Sequence, residues 1–297
     1  MRTTLALLLC CLLLGCRAAP SGKLPGIKAP DEDNSSDTDT EPGRKAQPTL
    51  GSIDYPAGKE TLHGFLCRPE KTKRPSPGLI LIHDANGLTG WTKDQAFRLS
   101  SRGYVVLAVD LYRGEMPKNL KGANLRDRGP PEERALGDLK AAMDYLAGRA
   151  DVDPDALGAI GFGLGGGYAL EAAVRDPRLR AVVNCYGRLI TDPKRLAPLR
   201  ATLFCVFAGK YEGNSMDAID QFIQAMNKAG KTMPNPLFCP DCGYGFFDPA
   251  NWPTYGKPKD AKVKDAWKQI DAFLDGQLKA TGPRPRGGQP KQREEDG

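Results

Sequence analysis

Histidine is almost missing from this chain: His63 and His83 are the only two among 297 residues. With no second pair of ligands beside its one Cys-x-x-Cys, no metal site is expected. Charge of one sign is also lacking. The 42 basic and 36 acidic residues are interspersed and leave a formal charge of +6, so no basic footprint for nucleic acid stands out and no nucleic-acid partner is expected. No apolar run is long enough to span a bilayer as a permanent helix; Leu5 to Leu14 falls well short. The one glycine-dense turn of the chain contains neither serine nor cysteine.

That turn, Ala159-Ile160-Gly161-Phe162-Gly163-Leu164-Gly165-Gly166-Gly167, is what the rest of the sequence is organised around. An apolar lead-in, a sharp turn and then Tyr168 to Ala173 read as strand, corner and helix. A corner of this kind serves either as a nucleophile elbow, G-x-S-x-G, or as a dinucleotide turn, G-x-G-x-x-G. Gly161-x-Gly163-x-Gly165 keeps the flanking glycines of the first and puts glycine in the nucleophile's place. Gly161-x-Gly163-x-x-Gly166 fits the second. Several strands precede the turn, however, and the window from Ala181 to Asn184 offers no acidic residue for a ribose. Nucleotide binding is therefore the weaker alternative, and no cofactor is expected.

The ends differ from the middle. Residues 1–15 carry Arg2 and the apolar run and read as an export signal. Leu13-Leu14-Gly15-Cys16 resembles the lipobox of bacterial lipoproteins, which implies cleavage before Cys16, lipid on that residue, and a place on the cell-envelope membrane. A plain secretory signal cleaved near Ala18-Ala19, giving a periplasmic or secreted protein, is the alternative. Residues 16–49 are rich in Pro, Ser, Asp and Thr and are expected to form a disordered tether, as are residues 281–297 a disordered tail. One domain of residues 50–280 remains. Of eight cysteines, Cys67, Cys185 and Cys205 lie in apolar runs and read as packing residues. Cys239-Pro-Asp-Cys242 is expected to stiffen a loop, as a local disulfide or as two thiols, because Gly243-Tyr244-Gly245 prevents a helix from starting there.

Within the domain, strands and helices alternate. Ser52–Tyr55 and Thr61–Arg68 read as an antiparallel opening pair. Pro77–Ile82, Tyr104–Val109, Ala181–Tyr186 and Ala201–Phe207 are continuous apolar runs of the kind buried on both faces of a parallel sheet. Helices are expected over Trp91–Arg102, after Pro130-Pro131-Glu132-Glu133 (with Leu136, Leu139, Met143 and Leu146 on one face), over Met216–Ala229 and over Ala261–Leu278. Pro236–Phe238 reads as a last short strand. The pattern predicts an α/β fold with a mostly parallel sheet of about eight strands, helices on both faces, and ligands at the strands' C-terminal ends.

Tyr55-Pro56-Ala57 with Gly64-Phe65-Leu66, Ile82-His83-Asp84 with Gly87-Leu88, Gly103-Tyr104-Val105-Val106 running to Asp110-Leu111-Tyr112, Ile160-Gly161-Phe162 with Gly165-Gly166-Gly167, and Pro240 leading to Gly245-Phe246 together resemble the dienelactone hydrolase family of the α/β-hydrolase fold. The resemblance implies a site built from a Cys or Ser, an Asp and a His, with a further carboxylate in the loop held here by His83 and Asp84. Carried over, the nucleophile position is Gly163, the acid position is Glu212 in Gly209-Lys210-Tyr211-Glu212, and the base position is Tyr244. Tyrosine, with a reference pKa near 10, cannot do a histidine's work near neutral pH. The backbone N–H of Leu164 and that of Ala85 or Asn86 are the expected carbonyl- or anion-binding pair.

Two functions follow. The first is an exported, lipid-anchored family member with a degenerate triad and a surviving small-molecule pocket. The second is an active ester or lactone hydrolase with a rearranged site that recruits Glu212, Asp84, His83 or Cys242.

Overall fold

A computed structural model describes residues 48–70, 74–115, 129–233 and 235–280. The expected signal, Cys16, nearly all of the expected tether and the expected tail lie outside the described residues. At its inner end the tether gives way to structure sooner than expected, because the first strand already begins at Thr49.

Eight strands form one sheet: β1 (Thr49–Ala57), β2 (Glu60–Arg68), β3 (Ser76–Ile82), β4 (Val105–Val109), β5 (Val152–Phe162), β6 (Leu179–Cys185), β7 (Thr202–Ala208) and β8 (Leu237–Cys239). Their spatial order is β1-β2-β4-β3-β5-β6-β7-β8. β1 and β2 pair antiparallel around the turn at Gly58, and β2 joins β4 antiparallel. Every pairing from β4 across to β8 is parallel. β5, which delivers the glycine turn, therefore lies well inside the sheet.

Alternation along these inner strands sends side chains into two cores. Ile80, Ile82, Val105, Leu107 and Ala159 face one side, where Leu139, Met143 and Leu146 of α2 (Glu132–Ala147), Ala169 and Leu170 of α3 (Leu164–Arg175) and Phe222 of α5 (Met216–Lys228) cover them. Leu79, Leu81, Val106, Ile160 and Val183 face the other. Ala96 and Leu99 of α1 (Gly90–Ser100) and Ala266, Ile270, Leu274 and Leu278 of α7 (Asp260–Leu278) close that side. Two short helices, α4 (Pro193–Leu196) and α6 (Trp252–Tyr255), sit in the connections. Such a two-sided parallel sheet leaves its loops at the strands' C-terminal ends as the place for a site. Among the described residues no helix is long and apolar enough to cross a membrane.

Candidate functional site

The site is assembled at the end of β5. Phe162 closes the strand, Leu164 opens α3, and Gly163 between them has φ +52° and ψ −115°. A residue with a side chain holds such a backbone only at a cost of about 1–3 kcal/mol. The flanking glycines answer a second constraint. A Cβ on Gly161 would overlap the carbonyl oxygen of Gly165, and one on Gly165 would overlap that of His83. The corner is pinned by the Gly163 N–H donating to the Cys185 carbonyl at 2.8 Å, at the end of β6.

Tyr244 comes to this corner from the loop after β8. A Cβ built on Gly163 would overlap the Tyr244 hydroxyl oxygen and lie 2.7 Å from Cζ. The phenol thus fills the volume that a nucleophile's side chain would need. Its ring is 4 % exposed and packs edge-on with Tyr211, Tyr186 and Tyr255 at centroid distances of 4.9, 5.5 and 5.5 Å. The chain just before it is fixed by a bond between the sulfurs of Cys239 and Cys242. That turn accepts hydrogen bonds from the N–H groups of Gly209 and Lys210 through the Cys239 and Cys242 carbonyls, at 2.8 and 3.0 Å. The loops that follow β7 and β8 are thereby tied together.

Beside the corner opens a cavity of about 580 Å³, bordered by Gly163, Leu164, Tyr168, Tyr186, Arg188 and Tyr244 among others. Its size is ordinary for a small-molecule pocket. Tyr168 is held in its wall by donating to the Pro130 carbonyl at 2.5 Å.

The other expected residues divide between two places. Glu212 opens a short 3-10 turn and is exposed; its neighbours Tyr211 and Gly213 border the cavity and it does not. His83, fully buried, has both ring nitrogens engaged: Nδ1–H donates to the Asp84 carbonyl at 2.6 Å, and Nε2 accepts from the Leu111 N–H at 3.1 Å. A backbone donor on Nε2 fixes the tautomer. Burial also holds the ring's pKa below its ordinary value and keeps it neutral. Asp84 accepts from the Asn86 N–H at 2.8 Å and from the side-chain amides of Asn86 and Asn251 at 3.2 Å each. Burial pushes its carboxyl up to about 6, with Asp248 adding to the rise and the amide donors opposing it. Ala85 turns its carbonyl to the Tyr112 hydroxyl at 3.1 Å, and neither Ala85 nor Asn86 borders the cavity.

The structure therefore brings Gly163, Leu164 and Tyr244 together, leaves the Glu212 carboxylate in solvent, and gathers His83, Asp84 and Asn86 into a separate polar cluster. Asn251, which completes that cluster, and Tyr168, Tyr186 and Tyr211 were not singled out from the sequence. Tyr168 had a signal, since it stands one helical turn beyond Leu164; Asn251 had none. No group of three or more potential metal ligands occurs among the described residues.

The profile of the dienelactone hydrolase family matches residues 62–278. A Methylorubrum extorquens protein named by inference as a carboxymethylenebutenolidase is 27 % identical over 238 residues, covering 75 % of this chain and 80 % of that one. A Bradyrhizobium protein named by inference as a 2-oxo-3-(5-oxofuran-2-ylidene)propanoate lactonase is 34 % identical over 154 residues, 50 % of this chain. The chain spans about three-fifths of that protein, 61 %. A solved Klebsiella pneumoniae structure, named by inference a dienelactone hydrolase, superposes with a TM-score of 0.69 at 22 % identity, covering 76 % of this chain and 98 % of the other. That structural likeness speaks for the α/β-hydrolase fold alone.

Proposed function

The chain belongs to the dienelactone hydrolase family, and from that premise we propose that it is a member that has lost covalent catalysis and keeps its pocket for binding a small molecule. The proposal includes export and attachment to a bacterial envelope membrane by lipid on Cys16. One observation carries the catalytic half: the place of the nucleophile's side chain is empty of sulfur or oxygen from residue 163 and is filled by the phenol of Tyr244.

Loss of a triad nucleophile or base lowers turnover by about 10⁶, while an oxyanion site and binding alone retain about 10³ to 10⁴ over water. Two groups that could support a rearranged site are otherwise engaged. His83 has no free ring nitrogen, and the Cys242 sulfur is bonded to Cys239. The glycine turn follows β5 rather than the first strand, which also leaves dinucleotide binding without its usual setting.

The test is turnover of p-nitrophenyl esters and butenolide lactones by the purified protein. No saturable hydrolysis is expected from the wild type. Gly163→Cys combined with Tyr244→His is expected to gain a weak esterase activity that iodoacetamide abolishes, weak because Glu212 is exposed and does not border the cavity. Saturable wild-type hydrolysis that disappears in His83→Ala would overturn the proposal.

A further inference from the structure

We infer that the Cys239–Cys242 pair is a thiol–disulfide exchange site, and that its reduction by a dithiol loosens the two loops that hold Tyr244 and Tyr211 at the corner of Gly163. The cavity those loops border is the one proposed above to bind a small molecule; the inference rests on that reading for its purpose, while the exchange itself needs no ligand. The two sulfurs are only 3 positions apart in sequence. A loop that short constrains the unfolded chain far less than a long one, so the bond adds little to global stability. What it fixes is local: the end of β8 and the start of the segment that carries Tyr244.

The turn bears on both rings. Its Cys239 and Cys242 carbonyls accept from the Gly209 and Lys210 N–H groups, and Gly209 lies so close that a Cβ there would stand 2.7 Å from the Pro240 Cα. Two thiol sulfurs cannot stay at bonding distance, so the turn widens when the bond breaks. Widening presses Pro240 on Gly209 and shifts the loop after β7, in which Tyr211 follows Lys210 directly. Tyr211 packs on Tyr244 at 4.9 Å, and Tyr244 stands over Gly163. The redox state of the pair thus sets the shape of the cavity wall that both tyrosines form.

The bond is also placed where a reductant can reach it. Pro240 and Asp241, between the two sulfurs, are exposed. β8 is three residues long, lies at the edge of the sheet and pairs, among the described strands, with β7 alone, so it belongs to the parts of a fold that open most readily. Cys239, its last residue and 4 % exposed against 1 % for Cys242, is the sulfur attacked. A thiolate of the dithiol forms a mixed disulfide with Cys239, the Cys239–Cys242 bond breaks, and Cys242 leaves as a thiolate that takes up a proton. The reductant's second thiol then attacks the reductant's own sulfur in the mixed disulfide and releases Cys239, which is protonated in turn. Two electrons and two protons pass to the protein, and the dithiol becomes a disulfide. The other thiols among the described residues, Cys67, Cys185 and Cys205, are buried, and burial pushes the pKa of each above the ordinary thiol value. They therefore neither attack nor shuffle with the pair.

The experiment treats the full chain with dithiothreitol under native conditions and follows, on parallel samples, alkylation by iodoacetamide and amide hydrogen exchange, both mapped by mass spectrometry. Cys239 and Cys242 are expected to be alkylated while Cys67, Cys185 and Cys205 are not. Exchange over residues 209–214 and 240–247 is expected to quicken at least about tenfold, with α2 and α3 unchanged. A Cys239→Ser, Cys242→Ser double variant is expected to show the faster exchange without dithiothreitol and to gain nothing from it. A bond that resists reduction until Cys67, Cys185 and Cys205 react with it, reduction that leaves exchange in the two loops unaltered, protection lost equally from α2 and α3, or a folded double variant that exchanges as slowly as the oxidised wild type overturns the inference. None of these readouts involves turnover or a ligand, so this inference and the proposed loss of catalysis fail separately.

Discussion

At the scale of the residue, Gly163 faces two obstacles to any side chain, and they can be separated. Its φ of +52° costs a substituted residue about 1–3 kcal/mol, whatever its surroundings. Overlap with the Tyr244 hydroxyl adds an overpacking cost of about 1–3 kcal/mol that depends on the partner. Gly163→Cys alone is therefore expected to lose about 2–6 kcal/mol by these two terms together, and Tyr244→Ala in the same chain to recover only the second. Urea unfolding of the two single variants and the double variant measures this as a coupling of about 1–3 kcal/mol. Strictly additive losses would mean that the phenol does not stand in the nucleophile's volume. What the sequence made legible here was chemical identity: glycine at position 163 and tyrosine at position 244. It could not make legible that one residue fills the space left by the other, because that contact depends on how the loop after β8 returns over the end of β5.

At the scale of the element, three connections meet beside the corner, and Asn251 joins two of them. Its amide donates to Asp84 at 3.2 Å and to the Gly245 carbonyl at 3.4 Å, while its oxygen accepts from Asn86 at 3.3 Å. The loop after β3 is thereby clasped to the segment that carries Tyr244. Asp84 at the centre has its pKa raised from 3.8 to about 6, which means that the fold opposes its ionisation. The contribution to stability is complete below pH 4 and falls as the pH rises through 6, by about 1.4 kcal/mol per unit or about 3 kcal/mol in all. Other carboxylates are shifted too: Asp248 upward by burial, and Asp144 and Asp275 downward by their Lys and Arg partners. The difference between wild type and Asp84→Asn isolates the one group. From pH 4 to pH 7, wild-type stability measured in urea is expected to fall by about 2.4 kcal/mol relative to Asp84→Asn, most of the full effect; parallel curves would show an Asp84 that ionises normally. The inner strands and long helices were legible because burial on both faces gives continuous apolar runs such as Leu79–Ile82, and one-sided burial gives the spacing of Leu136, Leu139, Met143 and Leu146. The clasp was not, because Asn251 has neither periodicity nor motif around it and acquires its partners solely through the return of a loop.

At the scale of the whole molecule, the proposal divides the chain into a folded binding unit and a means of attachment that share no chemistry. No helix among the described residues can cross a bilayer, and the formal charge of +6 over 297 residues gives at most a salt-sensitive attraction to anionic lipid. A lipidated Cys16 behaves differently. Each buried CH₂ contributes about 0.8 kcal/mol, so several acyl chains hold the protein through high salt, and attachment depends on one thiol rather than on the fold. Expressed in a bacterium that lipidates exported proteins, the wild type is expected in the membrane pellet after washes with 1 M salt (Debye length about 3 Å) and with carbonate. Cys16→Ala is expected in the soluble fraction with its unfolding midpoint unchanged, since position 16 precedes every strand and helix of the domain. Release of the wild type by salt would mark attachment as electrostatic. A Cys16→Ala protein that stays in the pellet while still folded would show that the anchor lies elsewhere in the chain.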